Sequence, residues 1–192
     1  MNSKQRCLDV MAGRPVDRVP VFPLLMFFAA DRHGLTYREF ASSGHALAEA
    51  QLRIRQTFAV DAITACSDAF RLSADLGGAI VFPESTPPHL AQPLVQSAAD
   101  LRRLVRPDPL AAGSRMADRV DAVREMARAV GDDCLVLGWV DMPFAEACSA
   151  CGVPQFMELL YEDPALAHAI LDFLTECVID FALAQLEAGA AM

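Results

Sequence analysis

The sequence predicts an α/β fold in which parallel strands are wrapped by helices. Three observations carry this. Two short runs, Val60–Ala65 (VDAITA) and Cys134–Val140 (CLVLGWV), are apolar on both faces, as strands covered on both sides must be. Helical periodicity separates and follows them, giving the order helix, strand, helix, strand, helix. No internal repeat or low-complexity linker interrupts that order. A closed barrel and an open doubly wound sheet both fit, but neither clear strand is followed by a glycine-rich phosphate loop, which weakens the dinucleotide-binding option.

The elements follow in order. Ser3 to Ala12 reads as a short helix with Ser3 as its cap, Cys7, Val10 and Met11 on its apolar side, and Gly13 at its end. Arg14–Arg18 is a turn, and Val19–Met26 is extended and broken by proline. Thr36 caps a short turn of helix. A longer helix covers Gly44–Phe58, with Leu47, Gln51, Ile54 and Phe58 on one face. The proline-rich stretch Ile80–Val95 suggests a hairpin or excursion. Ser97 caps a short helix. Ser114–Val130 is helical, with Met116, Val120, Val123 and Met126 or Ala127 in register and Gly131 as its stop. Pro143 and Pro154 open two further helices. Asp163 and Pro164 form an N-cap and first-position pair for a helix to about Glu187, closed by Gly189.

Composition narrows the function. The 192 residues are 54% hydrophobic and 21% charged, with a net charge of −9 and a pI of about 4.8. Such a field repels a phosphate backbone, so nucleic acid is not an expected partner. The apolar run Val19–Ala30 carries Pro20 and Pro23, follows Asp17, and is too short to span a bilayer, so neither secretion nor a membrane is expected. The six cysteines sit mostly in apolar runs and read as free thiols of a reducing, cytoplasmic compartment.

Several segments together resemble one family. Arg14-Pro15-Val16-Asp17-Arg18-Val19-Pro20-Val21 is similar to the G-x-x-x-D-R-x-P-V opening of the uroporphyrinogen decarboxylase superfamily. Phe58–Ile63 and then Ser67-Asp68 resemble its first strand and following acid. Gly138 to Ala145 resembles its G-x-x-G-P-F-T turn, with Asp141 and Met142 where glycine is usual. Gly152 to Pro164 and Glu187-Ala188-Gly189-Ala190 complete the series, and the likeness covers nearly the whole chain.

The resemblance implies a (β/α)8 TIM-type barrel. Such a barrel takes about 250 residues, and Glu187–Met192 reads as a helix cap followed by the start of a strand. Residues 1–192 are therefore expected to be the N-terminal portion of a barrel, and open strand edges imply self-association or pairing with a complementary C-terminal half.

The family divides into two activities. Decarboxylases act on a tetrapyrrole with eight carboxylates and carry an R-Q-A-G-R segment after the opening motif. Here that stretch reads Leu25-Met26-Phe27-Phe28-Ala29, so both arginine positions are apolar. The family tyrosine after the P-F turn falls near Ser149 and is also absent. The other branch moves a methyl group between a methyl-corrinoid and a thiol or similar acceptor. Its zinc is held by a His-x-Cys and a distant Cys of the C-terminal half, and this chain contains no His-x-Cys. The apolar Leu24–Ala30 segment suits a corrin face or a docking surface for a corrinoid protein. The resemblance thus points to a corrinoid-dependent methyltransferase, with methylcobalamin as substrate or cofactor. Uroporphyrinogen decarboxylation and a non-catalytic half-barrel that binds a corrinoid protein are the alternatives.

Asp68 is the expected catalytic residue. It follows an apolar strand, where barrel active sites lie, and by resemblance it is the acid that faces pyrrole N–H groups in decarboxylases. A helix cap is its plainer reading. Asp141 ends the CLVLGWV strand, and it, Ser67, Met26 and His33 are expected to contribute to ligand binding. Against that, Asp141 suits an N-cap and Met26 suits core. Cys148 and Cys151 form a lone C-x-x-C on one helical face and read as packing. They supply only two of about four zinc ligands. Metal analysis of the dialysed chain should therefore find well under one zinc per molecule; one tightly held zinc, lost when Cys148 and Cys151 are both changed, would make the pair a metal site.

Overall fold

A computed structural model describes residues 1–191. The element order is α1 (Ser3–Met11), α2 (Phe27–Arg32), α3 (Tyr37–Ser42), α4 (Gly44–Phe58), β1 (Ala62–Thr64), α5 (Arg71–Asp75), β2 (Ile80–Val81), β3 (His89–Leu90), α6 (Ala98–Leu101), α7 (Arg115–Val130), β4 (Leu135–Leu137), α8 (Pro143–Cys151), α9 (Val153–Glu162) and α10 (Pro164–Glu187). Among the described residues no helix is long and apolar enough to cross a membrane. The chain divides into two compact units, one of residues 1–67, 118–139 and 185–192, the other of residues 68–117 and 140–184.

The first unit is built on β1 and β4, which pair in parallel with Ala62 opposite Leu135 and Thr64 opposite Leu137. Side chains alternate across this pair. Ile63 and Val136 join a core with Phe40, Leu47, Ile54, Val123 and Met126, whereas Ala62 and Leu135 face Cys7 of α1. Both faces are thus covered, which is why both strands read as continuous apolar runs. Two parallel strands are the arrangement that the sequence predicts, though they do not by themselves make a barrel. Ala191 donates its backbone N–H to the Val136 carbonyl at 2.8 Å, which ties the residue to β4.

One buried carboxylate ties the opening segment to this pair. Asp61, fully buried, accepts from Arg6 Nη1 at 2.6 Å, from both Nη groups of Arg18 at 2.6 and 2.9 Å, and from the Val21 N–H at 2.7 Å. Its own backbone N–H donates to the Val21 carbonyl, and its carbonyl accepts from Leu135. Asp17 holds Arg6 from the other side through Nε and Nη2 at 2.7 and 2.8 Å.

The structure departs from the sequence reading in places. Asn2, not Ser3, caps α1, its side chain accepting from the Gln5 N–H. Phe58 leaves the buried face of α4 and meets the exposed ring of Phe28 at 5.6 Å. Helices α2 and α5 were not expected, since six and five residues are too few to show a helical period. Strand β4 is shorter than Cys134–Val140 because Gly138 is given to another contact. Gln185 Oε1 accepts from the Trp139 N–H at 2.8 Å, its Nε2 donates to the Trp139 carbonyl at 3.1 Å, and a Cβ on Gly138 would lie 3.0 Å from that Oε1.

In the second unit β2 and β3 form the antiparallel hairpin expected of the Ile80–Val95 stretch, and Leu94 and Val95 both donate to the Ala150 carbonyl of α8. Helices α8 and α9 pack with Phe144 and Phe156 edge to face, centroids 5.3 Å apart. Ile170, Leu174, Cys177 and Phe181 form the buried stripe of α10.

The Asp61 node predicts a pH and mutation response. Burial raises the Asp61 pKa, but the bonds from Arg18, Val21 and Arg6 outweigh it and bring the carboxyl down from 3.8 to about 2. Its stabilising contribution is therefore complete above its ordinary range and is lost as pH falls toward 2. Asp61→Ala removes the acceptor that Arg6, Arg18 and Val21 share, but Arg6 keeps Asp17 and Arg18 is 45% exposed, so the cost at neutral pH should lie at the lower end of that for a broken buried pair, about 3 kcal/mol. Urea denaturation at a series of pH values checks both, and an unchanged midpoint in the variant would contradict the assignment.

Candidate functional site

The polar residues of the second unit converge where α5 meets α8. Asp68 lies just before α5, and Arg71 is that helix's first residue. Asp141 and Glu146 flank the start of α8, which Pro143 opens at a position where a missing N–H costs nothing. Arg115 opens α7, where Asp75 accepts from the N–H groups of Arg115 and Met116 at 2.8 Å each and so fixes the helix end.

Asp68 is a buried carboxylate with a bidentate guanidinium partner. Arg115 Nη1 donates to Oδ1 at 2.9 Å and Nη2 to Oδ2 at 2.8 Å, and the Phe70 N–H donates to Oδ1 at 3.0 Å. The Arg115 guanidinium in turn lies over the Phe82 ring, 4.9 Å from its centroid. The sequence makes Asp68 the expected catalytic carboxylate, placed after an apolar strand. In the structure both of its oxygens are engaged, because an arginine 47 residues away folds back onto it.

A second pair stands beside it. Arg71, 1% exposed, donates through Nη2 to Asp141 Oδ2 at 2.6 Å. Asp141 lies past the end of β4 and not at the end of a strand as the sequence suggests; it is an ion-pair partner of α5, and α8 has no side-chain cap. Arg71 Nε and Nη1 are buried and have no hydrogen-bond partner, and the same holds for Glu146 Oε2. Glu146 is 3% exposed. Burial, with the charges of Asp141 and Asp68, outweighs the pull of Arg71 and pushes its carboxyl up to about 8. At neutral pH the corner thus holds two guanidinium groups, two carboxylates and one neutral carboxylic acid.

The remaining expected residues lie in the first unit. Met26 is half-buried and packs against the core, with its sulfur 3.2 Å from Cys66 Sγ. The Ser67 carbonyl accepts from Tyr37 Oη at 2.5 Å. His33 is half-buried, its Nε2 lacks a partner, and burial, followed by Arg53 and Arg32, lowers its pKa. Asp68 and Asp141 are thus in one unit, and Ser67, Met26 and His33 in the other. Cys151 is fully buried and burial pushes both thiols of the C-x-x-C up, Cys151 to about 11, which is the signature of packed cysteines. Among the described residues no group of three or more His, Cys, Asp or Glu side chains could hold a metal ion. The zinc that the family resemblance implies does not fit the residues of this chain.

Sequence reasoning missed Arg71, Arg115 and Glu146. Glu146 did leave a signal, being the only formally charged residue between Phe144 and Cys151. It also predicts a pH effect. The folded protein keeps the Glu146 proton up to about pH 8, whereas an unfolded glutamate loses it near 4.5. Its contribution to stability is complete below the lower value and is lost as pH rises through the higher one. Denaturation midpoints should fall across this window in the wild type and fall less in Glu146→Gln; equal slopes would place the proton elsewhere.

With this geometry in view, the likeness to known proteins becomes informative. The uroporphyrinogen decarboxylase of Methylococcus capsulatus is 29% identical over 95% of this chain and 55% of its own length. That of Myxococcus xanthus is 27% identical over 97% of this chain and 56% of its own. The chain therefore spans about half the length of the curated relatives it matches. Among solved structures, a methyltransferase from Methanosarcina mazei shares the α/β fold with a TM-score of 0.87 at 24% identity, over 99% of this chain and 57% of that one. The uroporphyrinogen decarboxylase (URO-D) family profile matches residues 2–192, and the chain belongs to that family.

Proposed function

We propose that this chain contributes to methyl transfer between a methyl-corrinoid and a thiol or similar acceptor, rather than to decarboxylation of uroporphyrinogen. The observation that carries this reading is the fate of the two positions where the decarboxylase pattern has arginines. Ala29 is wholly buried in the core of the first unit. Leu25 packs against that core, and its carbonyl accepts from Gln51 Nε2 at 2.9 Å. Neither position can pair a substrate carboxylate, and an unpaired charge in such a place costs several kcal/mol, on the order of the penalty for a broken buried pair.

What stands there instead is apolar surface. Leu24 and Phe28 are 46% and 43% exposed, with Val21 and Phe22 exposed beside them. Such a patch suits the hydrophobic face of a corrin ring or the protein that carries it. The Methanosarcina mazei protein of the same fold is a methyltransferase, which agrees with this reading. Asp68 serves it as a positioning residue that fixes the Arg115 guanidinium. No step is assigned to zinc. The rival reading, uroporphyrinogen decarboxylation, is favoured by the names of the curated relatives.

Equilibrium binding separates the two. Methylcobalamin, followed through quenching of Trp139, the single tryptophan, should bind the purified chain more tightly than uroporphyrin does. Replacing Leu24 and Phe28 together by serine should weaken methylcobalamin binding about tenfold, equivalent to roughly 1.4 kcal/mol. Preferential binding of uroporphyrin, or formation of coproporphyrinogen in proportion to protein, would overturn the proposal.

A further inference from the structure

Three buried side chains of the second unit, Arg71, Ser73 and Glu146, present polar atoms that nothing in the protein satisfies, and two of the three are ionisable. Arg71 has Nε and Nη1 unpartnered, and Glu146 has Oε2 unpartnered, although the two residues are only 1% and 3% exposed. Buried polar groups are almost always paired, and a buried guanidinium with two idle donors is costly enough to need an explanation. Packing does not supply one, since Arg71 needs only Nη2 to hold Asp141.

We propose that Arg71 and Glu146 form a binding site for the carboxylate of a small organic acid, reached along the edge marked by Asp141. Arg71 offers charged N–H donors, which suit a carboxylate better than any neutral group. Glu146 completes the set by sharing its proton with the incoming carboxylate. The Asp141 side chain is 18% exposed and that of Arg115 16%, while Arg71, Asp68 and Glu146 are buried, so the edge of the corner nearest solvent lies at Asp141 and Arg115. The balance of fixed charge favours a monoanion. Arg71 and Arg115 are already matched by Asp141 and Asp68, so every charge that a ligand brings is in excess, and a dianion such as phosphate would bring two where a monoanion brings one. The site is built from residues of the second unit alone, and it does not depend on the methyl-transfer reading.

The groups that face Glu146 make the test specific. They are Arg71 on α5, Asp68 before it, Asp141 before α8, and Cys177 on α10. The Cys177 thiol is pushed up to about 11 by burial and stays neutral in the range used. Glu146 loses its proton near 8, and its charge would then repel a carboxylate.

Ligand-detected NMR titration of the whole chain with propionate, and with propionamide as its neutral isostere, decides the matter. Propionate should bind at about pH 7 and propionamide should not. Binding should weaken about tenfold or more between about pH 7 and pH 9, as Glu146 ionises. Arg71→Gln should abolish it. Because loss of Arg71 leaves Asp141 without its partner and can disturb folding, Glu146→Gln provides the independent arm. It keeps a neutral donor of the same shape, so it should bind propionate with its pH dependence lost. Absence of propionate binding, equal binding of propionamide, or an unaltered pH profile in Glu146→Gln would each overturn the site.

Discussion

The first unit depends on a single buried carboxylate. Asp61 sits at the foot of β1, where burial alone would make an ionised group untenable. It is tolerated because two guanidinium groups and one backbone N–H meet it at hydrogen-bond distance. Those donors come from α1, from the turn before the extended segment, and from that segment itself. The first twenty or so residues are therefore fastened to the strand that they help to cover. Cys7 of α1 then closes the face of the β1–β4 pair formed by Ala62 and Leu135.

This explains what the opening motif is for in this protein. Asp17, Arg18 and Val21 read in the sequence only as part of a familiar pattern at a turn. In the structure Arg18 and Val21 bind Asp61 directly, while Asp17 holds Arg6 in place. Periodicity could not have revealed this, since it reports which face of an element is buried and says nothing about a partner 40 or more residues away. The same limit applies at Asp68. Its position after a strand was legible, but its bidentate partner Arg115 opens a helix that the sequence showed only as an apolar stripe.

Long elements were legible and short ones were not. The helices around Leu47–Ile54 and Met116–Met126 put three or more apolar residues on one stripe, and those residues are buried. Capping chemistry at Thr36, Ser97 and Asp163 was equally readable, because each cap makes a local hydrogen bond to a backbone N–H a few residues on. Helices α2 and α5 are shorter than two turns and are fixed by what they pack against. Phe27 of α2 stacks on Tyr37, a contact no local pattern announces. Arg71 escaped notice for the same reason, as it begins a helix that the sequence did not show.

Asp61 and Glu146 show how one residue class is sent in opposite directions. Both carboxyls are buried, and for both burial is the largest influence and raises the pKa. At Asp61 the guanidinium groups of Arg6 and Arg18 bond the carboxylate directly, and the charged form wins. At Glu146 the nearby guanidinium of Arg71 is already committed to Asp141, and two further carboxylates stand close by. The neutral acid wins there. A fully paired ion is a fastening, and its loss is read in stability. The neutral acid beside a guanidinium with idle donors makes no such bonds, and the protein bears the cost of leaving both unsatisfied. Such a cost is expected at a place that a ligand completes, and the corner between α5 and α8 is where this chain bears it.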